Sequence, residues 1–143
     1  MKVVVDTNIM VSALLSGGGA PRDVLRLCLE EKITPIFGTT LFAEYEDVLA
    51  REDLFVRSPL SASERSTLLD AVVSVGDWIS VYYLWRPNLR DEDDNHLVEL
   101  AIAGGAEWII TANLKDFRGA ELRFDHVRIG TAGMFLEERE LRS

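Results

Sequence analysis

Three observations predict an α/β fold built on a mostly parallel sheet. Short β-branched or aromatic runs alternate with amphipathic helical stretches, and no repeat, low-complexity tract or linker interrupts the alternation. The opening run Val3-Val4-Val5 is apolar at every position, as expected of a strand covered on both faces. Polar and acidic residues follow the first and fourth such runs directly, at the ends where open parallel sheets present their ligand crevice. With 143 residues the chain is expected to form one domain, 1–143, around one sizeable core.

The first strand covers residues 3–5 and ends at Asp6. Taken alone, Asp6 reads more readily as a helix cap than as a group for chemistry, because Asp6, Thr7 and Asn8 all suit an N-cap. A short helix over 9–15 stops at Ser16-Gly17-Gly18-Gly19. Pro21 opens the next helix, which runs to about residue 31 with Val24, Leu25, Cys28 and Leu29 on its inner face. Cys28, the one cysteine, reads as a small core residue; an internal disulfide is excluded and a cytoplasmic location is expected. Residues 33–37 give a second strand, in which Pro35 marks an edge or a strand margin.

Thr39 and Thr40 are N-cap candidates for a helix over 41–51. Its apolar arc is Leu41, Phe42, Tyr45, Val48 and Leu49; Glu44 borders one side, Glu46 the other, and Asp47 points away. Helical geometry alone does not choose between Glu44 and Glu46. Residues 51–59 read as a loop or lid. Ser61 or Ser63 caps the helix that follows, and Glu64 completes a capping box with Ser61. A third strand is expected over 78–83 after the Gly76-Asp77 turn.

The run from Arg90 through Asp91, Asp93 and Asp94 to His96 is the densest charge cluster and precedes a helix carrying Leu97, Val98, Leu100, Ala101 and Ile102. Acids there serve the helix dipole or belong to a site assembled from distant segments. A calcium loop fits poorly, since His96 stands where the sharp-turn glycine belongs. A fourth strand over 108–111 leads into Thr111, Asn113 and Asp116, and a fifth over 127–129 leads to a helix capped by Thr131. Neither His96 nor His126 is assigned a role.

A net charge of −9 argues against gripping nucleic acid by bulk electrostatics. It leaves room for a nuclease whose acids are gathered around metal, because bound divalent ions reverse the local charge. No run approaches the roughly 20 apolar residues of a membrane span, and Asp6 and Asn8 interrupt what would be a signal peptide. Acids on four segments that converge on one crevice would suit a hard cation and phosphate-ester hydrolysis. No Cys/His spacing supports zinc.

Four motifs in order resemble the PIN-domain family: Asp6-Thr7-Asn8 after the first strand, Glu44 within Leu-Phe-Ala-Glu-Tyr-Glu-Asp-Val-Leu, Arg90 to Asp94, and Thr111-Ala-Asn113-Leu-Lys-Asp116-Phe117. The likeness is strongest to VapC-like toxins of toxin–antitoxin pairs. It implies Glu44 rather than Glu46 as the second acid, and Asp94 rather than Asp91 or Asp93 as the third. Asp6, Glu44, Asp94 and Asp116 would then hold Mg2+ or Mn2+ and cut RNA, with Asn8, Thr111 and Asn113 as supporting polar groups. Asn113 departs from the Asp often found there, which bears on a second metal. The resemblance further implies a three-layer α/β/α architecture with five strands ordered 3-2-1-4-5, a homodimer, an RNA substrate and a cognate antitoxin protein.

Three other readings compete. A haloacid-dehalogenase phosphatase needs an acid where Asn8 stands, and a receiver domain needs one after the third strand, where Leu84-Trp85-Arg86 follows. A catalytically weak PIN-type module that binds RNA or protein would retain the fold; four acids in place argue against it.

Overall fold

The computed structural model describes residues 1–80, 95–117 and 126–142, with the side chains of Asn95, Asp116, Leu141 and Arg142 outside the description. Five strands form one sheet: β1 (Lys2–Val5), β2 (Thr34–Phe37), β3 (Asp77–Trp78), β4 (Trp108–Ile110) and β5 (Arg128–Gly130). Every pairing is parallel and the order is β3-β2-β1-β4-β5, as the resemblance implies. The helices are α1 (Thr7–Leu15), α2 (Ala20–Leu29), α3 (Thr39–Leu49), α4 (Ala62–Ser74), α5 (Asn95–Gly104) and α6 (Ala132–Arg142).

Alternation along β1 divides the core. Val4 joins Ile36, Ile109 and Ile129 in one cluster with Leu97 and Ala101 of α5. Val3 and Val5 join Trp108 and Ile110 in a second cluster with Val24 and Cys28 of α2 and Phe135 of α6. Helices therefore cover both faces, which is why Val3, Val4 and Val5 are all apolar and the one polar residue of β1, Lys2, stands at its exposed start. Cys28 is 1% exposed, and burial pushes its thiol up to about 12, so it is an inert core side chain.

Several local expectations need correction. The N-cap of α3 is Gly38, with Thr39 and Thr40 already helical and exposed, so neither threonine serves as the cap. The 51–59 segment contains a 3-10 turn, Glu52–Phe55, because Phe55 is buried (4% exposed) and carries the Arg65 guanidinium over its ring. β2 is an inner strand, and Pro35 is tolerated because β3 pairs only with Ile36 and Phe37. Strand β3 stops at Trp78; the remainder of the predicted third strand, from residue 81, lies outside the described residues. At Gly76 a Cβ would sit 2.5 Å from the Pro35 carbonyl oxygen, so the turn into β3 demands glycine.

Candidate metal centre

The site forms where β1 and β4 end side by side. Asp6 N–H donates to the Ile110 carbonyl (2.9 Å) and Thr111 N–H donates to Gly130 (2.9 Å), so the last sheet bonds fix both backbones at the carboxyl edge. The Thr111 side chain is fully buried and its Oγ1 donates to Asp6 Oδ2 at 2.7 Å. Asn8 Nδ2 donates to the same oxygen at 3.2 Å, while Asn8 Oδ1 accepts from the Ala112 N–H at 3.2 Å. Thr111 Oγ1 in turn accepts from the Asn113 N–H at 3.1 Å. Asn8 thus ties the β1 end to the β4 end through one side chain.

Asp6 occupies the N-cap position of α1 but makes no side-chain capping bond, so capping alone does not explain it. It is 5% exposed, and burial raises its carboxyl above the ordinary range. The bonds from Thr111 and the Thr7 backbone pull back toward the charged form, the Glu44 charge raises it further, and His96 lowers it. A carboxylate in such a place is stabilised by a cation.

The second acid arrives from α3. Tyr45 is fully buried and its hydroxyl donates to the Val5 carbonyl, one residue before Asp6. That bond brings Glu44 to the crevice: Thr7 Oγ1 donates to Glu44 Oε1 at 3.0 Å, and His96 Nε2 lies 2.8 Å from Oε2. Asp6, Thr7, Asn8, Val11, Ser12, Glu44, Val48 and Asn113 line one open crevice. Glu46 instead borders a separate groove with Phe42, Arg65 and Asp70, and Asp47 pairs with Arg51 at 2.7 Å.

Of the residues expected at the site, Asp6, Asn8, Glu44, Thr111 and Asn113 come together here. Asp116 lies in the 3-10 turn Leu114–Phe117 that leaves β4, with its side chain outside the description. Asp94, like Asp91 and Asp93, lies outside the described residues. Sequence reasoning missed the two groups that touch Glu44. The sequence offers Thr7 as a cap candidate and as the middle of the first motif without a role of its own, and assigns His96 none, although its position directly after the acidic run is a usable signal.

The donors fit a hard cation. Carboxylate, amide and hydroxyl oxygens line the crevice, and magnesium is ordinarily held by one or two carboxylates with the remaining positions left to water and phosphate. Among the described residues no three His, Cys, Asp or Glu side chains are arranged to hold a metal ion together, and Asp6 and Glu44 are the carboxylates that line the crevice.

Fold and site together define a parallel α/β protein with paired acids at the carboxyl edge of its central strands. The chain belongs to the PIN-domain family, whose model matches residues 2–115. It is 30% identical to the uncharacterised protein MJ1680 of Methanocaldococcus jannaschii, over 98% of this chain and 92% of that protein. It also shares its fold with VapBC2 from Rickettsia felis, a crystal structure bound to a DNA fragment from their promoter. That match has a TM-score of 0.55 and 18% identity, and covers 90% of this chain and 97% of the other. No helix among the described residues is long and apolar enough to cross a membrane.

Proposed function

We infer that the protein is a Mg2+- or Mn2+-dependent endoribonuclease that hydrolyses RNA phosphodiester bonds, and the VapC-like toxin of a toxin–antitoxin pair. The observation that carries this reading is Asp6, a buried carboxylate held at the end of the central strand beside Glu44. Family membership and the structural likeness to VapBC2 support it. The likeness also motivates an antitoxin protein as partner.

Asp6, Glu44, Asp94 and Asp116 would hold the cation. When bound, such an ion lowers the pKa of a water nucleophile and offsets charge on the phosphate. The chain's own residues do the rest. Thr111 and Asn8 orient Asp6 through Oδ2, and Glu44, more exposed at 42%, stands where it can accept a proton from attacking water. RNA would enter on the open side past Ser12 and Asn113. Lys115, exposed on the turn after β4, is a phosphate contact available from the same edge.

The test is incubation of a structured RNA pool with purified protein and magnesium or manganese, with chelator, Asp6→Asn and Asp94→Asn as controls. Cleavage should require metal and fall by at least about a hundredfold in each variant. Both variants should keep the wild-type circular dichroism spectrum. Asp6→Asn should melt no lower than wild type, since it removes a buried charge while its amide oxygen still accepts from Thr111. Undiminished cutting by both variants would overturn the assignment.

A further inference from the structure

Glu44 is a partly exposed side chain of the type that ordinarily samples several rotamers, and fixing one costs entropy. Here both of its oxygens are engaged. Thr7 Oγ1 donates to Oε1 at 3.0 Å from the first residue of α1, and His96 Nε2 donates to Oε2 at 2.8 Å from the first turn of α5. Resting on the nuclease reading, we propose that Thr7 and His96 are positioning residues that clamp the Glu44 carboxylate beside Asp6 in the orientation metal binding requires.

Three features support the clamp. Thr7 directly follows Asp6, so the bond to Oε1 references Glu44 to the position of the first acid. The carboxylate only accepts, so Nε2 carries the hydrogen. The other ring nitrogen, Nδ1, is buried with no hydrogen-bond partner among the described residues. A buried nitrogen left unpaired is costly for the fold, and among the described residues the hydrogen bond the imidazole does make is to Glu44. The bonds leave each Glu44 oxygen further lone-pair capacity for metal or metal-bound water. Groups that orient a metal ligand in this manner typically alter affinity by about 10–100-fold when removed.

The experiment is calorimetric titration of the full chain with Mn2+. His96→Ala should weaken binding by about tenfold or more. His96→Gln, whose amide retains an N–H for Oε2, should recover most of the loss. In a Glu44→Ala background, His96→Ala should change the affinity by less than about twofold, because the two residues act as one unit. Wild-type affinity in His96→Ala, or the same tenfold loss without Glu44, would overturn the clamp. If His96→Ala fails to fold by circular dichroism, Thr7→Val carries the same cycle on Oε1. A wild-type chain that binds no Mn2+, or an Asp6→Asn chain that binds it equally well, would overturn the nuclease reading and the clamp with it. Unchanged His96 variants in a chain that does bind would overturn the clamp alone.

Discussion

Asp6 sits where an unsupported carboxylate would be expensive, and the residues around it are explained by that expense. Thr111 is wholly buried for the sake of one hydroxyl, which donates to Asp6 and accepts from Asn113. Thr111→Val keeps the shape and removes both bonds. We expect it to destabilise the fold by about 1–3 kcal/mol, the cost of taking a hydrogen bond from the buried Asp6 carboxylate, and to reduce cleavage. Urea unfolding would check the first and an RNA assay the second; a variant as stable as wild type would show that Asp6 does not depend on Thr111. Asp6, Glu44 and Thr111 were legible because they stand at strand ends or within family motifs. The Thr7 and His96 contacts were not. They join residues far apart in the chain, 37 positions for Thr7 and Glu44, on three different elements, and periodicity within one helix says nothing about which side chain of another helix it meets.

Among the elements, α4 has the clearest sequence signature. Ser61 N–H donates to Glu64 Oε1 at 2.9 Å and Glu64 N–H donates to Ser61 Oγ at 3.2 Å, closing the expected capping box. The backbone bond from Ser61, followed by its side-chain bond, holds the Glu64 carboxyl below its ordinary value. Its contribution is therefore complete above the unfolded carboxylate range and is lost as pH falls through the lower folded value, where the unfolded chain binds more protons. Wild type should lose more stability than Glu64→Gln between neutral and acid pH, read as urea midpoints; parallel curves would contradict this. By contrast, the start of α3 is ambiguous in sequence because two threonines look like caps whether or not the preceding glycine already takes that place. The 3-10 turn at Glu52–Phe55 was invisible for a different reason: one phenylalanine anchors it, and a single apolar residue has no period.

At the scale of the whole molecule, the sheet order puts β1 at the centre and β4 beside it, so Asp6 and Thr111 emerge at adjacent strand ends while α3 delivers Glu44 across them. The fold class was readable from alternation of runs, and the strand order from the resemblance. Which groups meet at the carboxyl edge required the structure. A net charge of −9 is compatible with an RNA-cutting site because the acids that would repel phosphate are those proposed to bind the cation. The measurement that tests this most directly is RNA cleavage in heavy-oxygen water with Mn2+, comparing wild type with Asp6→Asn. The account predicts metal-dependent cutting by wild type alone, with one heavy oxygen in each new phosphate end. Cyclic phosphate ends without label, or equal cutting by Asp6→Asn, would contradict it.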